Sequence, residues 1–476
     1  MANPSSVVET QIAPHRVNPE RLAWSVLLIA FAVFCSICAA TTVGLYVFLF
    51  QSTMPMIPTL EVGKGTVGLT FSDLSEKAVR DRFDLSGTGT TATTDSQTQG
   101  TLIFRDPLNE HNLIASVTLK GDSSLTLREA VRPRFEWATG DYFFNLVNFS
   151  GEMDAFVSPN IEREIQLDIW TPHGSRVALS GSGRYTIIAS GTQVQVTNSE
   201  GQALLFAPNP QNGYAVPVGH RGVLVADTSE IILSPTFGEL LENSTFRFTV
   251  AAEPNGELPG LEAGSTTHTP ENSATTQSNR DSETSRVLAN NWGCANSADL
   301  PPLGDYGVES IEGRVSLRLV RGQEASSHGE SLCVQNFVAE NEGGLDVSSF
   351  DYLALRTTFL INYQSLSKCG RDGSECPLML RIDYRDLNGN DRKWFQGFYT
   401  IDLAEYAEFP PRCDSCRKDH EKINAKAWYS FDTGNLLTFF AQDDPGLRPT
   451  VISSIRFYAS GHQYDVYVSE MSLIGG

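Results

Sequence analysis

Apolar and polar positions follow three regimes along the chain. From Leu22 to Phe50 the sequence runs LAWSVLLIAFAVFCSICAATTVGLYVFLF without one charged residue. A bilayer-spanning helix needs ~20 apolar residues, so this run predicts a transmembrane helix with length to spare. It is about twice the ~7–15 residues of a cleaved signal's apolar region, and Pro55 and Pro58 stop it. Beyond them, short runs alternate apolar and polar residues, as in GTLIF, LIASVTL, GRYTIIAS, TQVQVTN and GQALLFA. Period-two alternation broken by turn residues is the pattern of β-strands. Only Leu74 to Phe83 reads as helical. Residues 251–291 (PNGELPGLEAGSTTHTPENSATTQSNRDSETS and its flanks) hold too few apolar side chains to build a core and read as a disordered linker. From Trp292 the strands return in RVSLRLV, YLALRTTFLINY, LMLRIDYRD, KWFQGFYTIDL, SIRFYAS and YDVYVSEMSLI.

These regimes predict a mainly β protein with one transmembrane helix. A cytoplasmic tail (1–21) precedes the helix (22–50). A β domain (58–250), a linker (251–291) and a two-sheet jelly-roll β-sandwich (292–476) follow. Arg16 and Arg21 precede the apolar run and no Lys or Arg follows until Lys64. The positive-inside rule then puts the N-terminus in the cytoplasm, with the β domains outside a cell membrane crossed once. Ala32, Ser36, Ala40 and Gly44 recur every fourth residue, the small-residue spacing that lets two membrane helices approach, so a homo-oligomer through this helix is an expectation.

Net charge adds an exclusion. At −21 the chain lacks the basic face that phosphate binding needs, which argues against nucleic acid as a partner. Cysteine placement supports the compartment. Cys35 and Cys38 lie in the apolar run, while Cys294, Cys333, Cys369, Cys376, Cys413 and Cys416 crowd the last third. An even number outside the cytoplasm reads as disulfides. Cys369 and Cys376 flank a polar loop they can close, which leaves Cys294 for Cys333. Cys413, Cys416 and His420, joined by Cys369 or Cys376, offer zinc donors, but only one Cys-x-x-Cys is present. The disulfide is the preferred reading, with no metal and no cofactor expected.

Enzyme signatures are missing. The sequence contains no HExxH, GxSxG, P-loop or dinucleotide fingerprint, so a non-catalytic protein is expected. In YRDLNGNDRKW, the oxygens of Asp386, Asn388, Asn390 and Asp391 faintly suggest a calcium loop. The positions where an EF-hand needs Gly and Glu hold Asp391 and Gly397 instead. A hairpin turning at Asn388-Gly389 is preferred. After that turn, Trp394 and Phe398 share one strand face while Phe395 and Tyr399 share the other. One pair must face the core. An exposed Trp394 and Phe398 would form a platform for a sugar ring, with Asp386 and Asn388 taking hydroxyls.

Two resemblances extend this reading. GTVGLTF, SQTQGTLIF through SSLTL, TPHGSRVALS, GRYTIIASGTQVQVTNSEGQALL and VPVGHRGVLVAD make residues from about 60 to 250 resemble the FecR family of extracytoplasmic domains. The resemblance implies a small stacked β-structure. SIRFYASGHQYDVYVSEMSLIG makes residues from about 292 to 476 resemble the galactose-binding-like jelly rolls of carbohydrate-binding modules. Together they lead one to expect a membrane-anchored binding or adhesion protein whose head recognises a glycan or another cell-envelope component. A FecR-like transmembrane sensor or a structural envelope-assembly protein are the alternatives.

Overall fold

The structure, a computed structural model, describes residues 19–107, 109–138, 140–159, 161, 163–208, 213–225, 230–247, 292–322, 324–337, 343–366, 369–370, 375–402 and 419–476. Residues 1–18 of the expected tail and all of the expected linker (251–291) lie outside them. The chain is mainly β, as the alternation predicts.

An α-helix runs over Pro19–Tyr46 and continues as a π-helical turn over Val47–Gln51. It is long and apolar enough to cross a membrane and buries none of its side chains. Ala32, Ser36, Ala40 and Gly44 stand exposed on it, with the Ser36 hydroxyl donating to the Ala32 carbonyl at 2.8 Å. The helix and residues 132–141 form a compact unit of their own.

The remaining chain forms one unit with two hydrophobic cores. The first core gathers residues from Met56 to Leu224 inside a long curled sheet. Its central strand, Tyr142–Val157, pairs antiparallel with Asn109–Leu119, Ser124–Pro133 and Arg176–Ala189, and parallel with Ile165–Trp170. After Ile165–Trp170 the chain reverses through TPHGS. There the Gly174 N–H donates to the Thr171 carbonyl at 3.1 Å, and Gly174 takes φ +84°, where a side chain would be strained. The expected helix at Leu74–Phe83 is instead two short strands, Glu76–Val79 and Arg82–Asp84, which pair with Val67–Thr70 and Thr59–Lys64. Pairing with the neighbouring strands Val67–Thr70 and Thr59–Lys64 overrides weak helical spacing.

The second core lies between two sheets, antiparallel but for the parallel edge pair of Asp391–Tyr399 with Glu421–Lys422, a sandwich. One sheet orders Asp305–Ile311, Arg314–Arg321, Tyr464–Gly475, Leu353–Gln364 and Trp428–Asp432. The other orders Gly293–Ala298, Gly329–Asn336, Pro449–Gly461, Leu378–Asp386, Asp391–Tyr399 and Glu421–Lys422. A short helix, Leu436–Ala441, is capped by the Asn435 side chain and buries Leu436, Leu437 and Phe440. The sandwich also recruits chain that the sequence reading gave to the first domain. Gly238–Glu239 pairs with Ile474 and Gly475, and Leu241 and Phe246 join the second core.

Disulfides Cys294–Cys333 and Cys369–Cys376 tie the sandwich. Cys413 and Cys416 lie outside the described residues.

Candidate binding cleft

Strand periodicity builds a cleft of about 510 Å³ where the two β bodies meet. On the first body, register places Ser116 opposite Phe156 and Phe156 opposite Arg184, with Thr118, Asp154 and Thr186 in the adjacent row. Six side chains from three neighbouring strands therefore share one face. The second body answers in the same way. Arg356 stands opposite Asp432 and Ser472, and Thr358 opposite Ser430 and Glu470. These two polar faces, with Lys120, Glu200, Glu239 and Arg314, line the cleft. Its volume falls in the ~300–1,000 Å³ range of small-molecule sites.

Side chains clamp the bodies around it. The Arg314 guanidinium donates to the Ser116 hydroxyl at 2.6 Å, and Arg184 meets Glu470 at 3.2 Å. Arg105 lies 3.1 Å from both Glu61 and Glu312, and Lys64 lies 2.8 Å from Glu421. The Asn424 side chain donates to the carbonyls of Val62 and Arg80.

Most charges in the cleft are matched. Burial alone would depress the Lys120 ammonium, yet Asp154 and Glu152, at 3.0 and 2.6 Å, outweigh it and hold it above the usual lysine range. Burial likewise opposes the charge on Arg356, and Asp432 at 2.7 Å outweighs it. Arg314 differs, because burial and the neighbouring Arg184 pull it down to about 10. Burial raises the Glu239 carboxyl above its ordinary value, although three backbone N–H groups and the Ser472 hydroxyl donate to it.

The expected sugar platform is overturned. Trp394 is 2% exposed and Phe398 is fully buried, and both point into the sandwich core. Trp394 meets Phe440 edge-on at 6.4 Å, and Phe398 packs on Phe359 at 4.7 Å. The opposite face is covered too, since Tyr399 and Phe395 pack with Met379, Tyr458 and the Cys369–Cys376 disulfide. Asp386 is a buried turn staple. Its carboxylate accepts from the backbone N–H groups of Asn388 and Asn390, each at 2.9 Å, and from Arg392 at 2.9 Å. Burial pushes this carboxyl up, but those bonds, Asn390 foremost, hold it below the usual range. Asn388 is exposed and donates weakly to the Gly446 carbonyl at 3.4 Å. The hairpin forms with a longer loop than Asn-Gly alone. The Gly389 N–H donates to the Asp386 carbonyl at 3.0 Å and Gly389 takes φ +82°.

His420 packs beside the Cys369–Cys376 disulfide, close enough for three-ligand geometry. Both sulfurs are consumed in the disulfide. His420 Nδ1 accepts from the Gly397 N–H at 2.9 Å, leaving Nε2 to donate to the Gly370 carbonyl at 3.1 Å. Burial lowers its pKa, so the neutral ring acts as a bridge between two backbone groups.

No family model and no curated protein matches this sequence. Solved structures share local likeness. A proposed anti-sigma factor from Parabacteroides distasonis is 12% identical over 30% of this chain and 59% of its own, with a TM-score of 0.22. This chain thus spans about three-fifths of that protein. The family 11 carbohydrate-binding module of a cellulosomal cellulase from Clostridium thermocellum is 14% identical over 39% of this chain and 88% of its own, TM-score 0.23. SGBP-B from a xyloglucan utilization locus in Bacteroides uniformis is 8% identical over 81% and 98%, TM-score 0.20. Scores of this size assign neither a family nor a ligand.

Proposed function

We propose that this is a membrane-anchored, extracytoplasmic, non-catalytic binding protein that takes a saccharide between its FecR-like and jelly-roll bodies. The cleft carries the reading. It is open and of ligand size, and its walls present the hydroxyls of Ser116, Thr118, Thr186, Thr358 and Ser430 beside paired charges. Sugars are recognised by such fixed donors and acceptors. Lys120, Arg356 and Arg184 are each engaged with carboxylates, an arrangement suited to holding a polar ligand rather than to proton transfer. The charge-free run Leu22–Phe50 supplies the anchor, and the two disulfides suit an oxidising exterior.

A glycan-binding screen of the full-length protein in lipid nanodiscs tests this reading, with Thr186→Tyr as a cleft-filling variant. Binding by the parent and its loss in the variant, at unchanged melting temperature, is the expected result. Binding that survives the variant places the ligand elsewhere. Protease added to intact cells or spheroplasts should remove the β bodies and spare the N-terminal tail.

A further inference from the structure

Off the cleft opens a second, smaller pocket of about 20 Å³. Arg184, Arg314, Phe156 and Thr245 line both, and Arg247 and Ser469 complete the polar wall of the smaller one. Three guanidiniums thus surround it, and no carboxylate belongs to its lining. Glu470 pairs with Arg184, and Glu200 holds Arg247 through two contacts of 2.7 and 3.1 Å. Arg314 is left over. Among the described residues no carboxylate lies within ion-pairing distance of it. Its partners are the Ser116 hydroxyl and the rings of Phe156 and Trp428, at 4.6 and 5.1 Å.

Arg314 is only part-buried, and Glu470, Glu312 and Glu61 offset part of its charge without touching it, yet a guanidinium short of contact partners is still costly to hold there. Arg321 shows how the fold handles such a group elsewhere. It is buried and donates to the carbonyls of Leu300, Pro302, Ser327, Gly461 and His462. Arg314 has no such set. Its charge, crowded by Arg184 across the Phe156 ring, stands at the join of two cavities in a chain of net charge −21.

We propose that the pocket walled by Arg184, Arg247 and Arg314 receives the oxyanion group, carboxylate or sulfate, of an acidic saccharide lying in the cleft. The inference rests on the saccharide reading of the cleft. About 20 Å³ admits a small polar group but not a sugar ring, so the ring stays in the larger space and its anion enters the smaller. Guanidinium forks match carboxylate and sulfate oxygens in geometry as well as charge.

The test measures binding to the full-length protein in nanodiscs by calorimetry. Probes are galacturonate oligomers, sulfated galactose oligomers and neutral galactose oligomers of equal length, with sodium sulfate and sodium phosphate alone. One or both acidic oligomers should bind more tightly than the neutral one, less so as salt rises, and the preferred oligomer identifies the anion. Arg314→Gln should weaken acidic binding by about 10- to 100-fold more than it weakens neutral binding. Equal affinity for acidic and neutral oligomers, or no effect of Arg314→Gln, overturns the anion pocket and leaves the cleft reading standing. If no oligomer binds, the saccharide reading falls. In that case an Arg314-dependent rise in melting temperature with sulfate or phosphate keeps the anion pocket, and its absence overturns that too. Should Arg314→Gln fail to fold, the parent's acidic-to-neutral ratio and salt dependence decide.

A second inference stands on the loop that clusters with the helix. The Arg134 N–H donates to the Ser52 carbonyl at 3.0 Å, and the Arg134 guanidinium lies 5.3 Å from the Phe48 ring. Phe135 meets Phe48 edge-on at 5.6 Å and stacks on Trp137 at 4.9 Å, leaving Trp137 62% exposed. We infer that Trp137 and Phe135 sit in the outer headgroup region, an aromatic belt supplied from outside the helix, with Arg134 facing lipid phosphate. This rests on the membrane reading. Full-length protein in nanodiscs of brominated lipid should lose part of its tryptophan quenching in Trp24→Phe and a further part in Trp137→Phe. An effect of Trp24→Phe alone overturns the loop's insertion while the anchor stands. No effect of either overturns both.

Discussion

The Gln99 side-chain amide pairs with the backbone of Ser430 in both directions. It donates to the Ser430 carbonyl at 2.9 Å and accepts the Ser430 N–H at 2.8 Å. One side chain of the first body thereby imitates a neighbouring strand for Trp428–Asp432. Gln99→Ala leaves both part-buried backbone groups without this partner, at a cost of about 1 kcal/mol. Hydrogen exchange should show the Ser430 amide losing protection before the interior of either body; unchanged protection there would mean water replaces the amide.

Trp394 belongs to the sandwich core, so Trp394→Ala should destabilise by about 3–5 kcal/mol and leave ligand affinity at the cleft untouched in the folded fraction. Denaturant titration with a parallel binding assay separates the two. A stable variant that no longer binds would return Trp394 to the site.

Glu239 gives a pH dependence of definite sign. Its folded carboxyl is raised above the ordinary 4.5 by burial, and Glu470 adds to the effect. The folded state therefore holds this proton more tightly than the unfolded chain. The contribution is fully present below about pH 4.5 and is lost as pH rises through the raised value. Glu239→Gln should flatten the stability profile across that window in urea titrations at pH 4.5, 5.5 and 6.5. A profile parallel to the parent's would show that Glu239 titrates as it does unfolded.

The disulfides differ in the chain they close. Cys294–Cys333 spans 39 residues and Cys369–Cys376 spans 7. Chain entropy makes the longer crosslink worth about 1.5 kcal/mol more. The pair Cys294→Ser with Cys333→Ser should therefore lower the melting temperature further than Cys369→Ser with Cys376→Ser. The reverse order would point to a packing role for the short loop, whose cysteines share a buried cluster with Tyr399 and Met379.

How far the sequence speaks depends on what each pattern encodes. Alternation in GRYTIIAS and YLALRTTFL reports a strand and its two faces, and those strands are present. It does not report what covers each face. Trp394 and Phe398 were a sound pair on one face, but the covering groups come from Phe440 and Phe359, distant in sequence. The cleft was hidden for the same reason. Ser116, Thr118, Asp154, Thr186, Arg356 and Thr358 read as ordinary solvent-facing positions until a second polar face stands opposite. The helix Leu436–Ala441 did leave a trace in Asn435 followed by Leu436, Leu437 and Phe440, a cap before a helical apolar spacing. A single turn and a half offers too few repeats to stand out.

Phe246 and Trp292 lie ring to ring at 5.7 Å, inside the same core. The chain thus leaves the sandwich at Phe246 and re-enters it beside the same ring at Trp292, both in one core. Cutting the polypeptide anywhere between these two residues severs none of the described strand pairings. The gene divided there should yield two polypeptides that complement each other, the first carrying Gly238–Glu239 and Phe246 as its docking tab and the second carrying the sandwich that receives them.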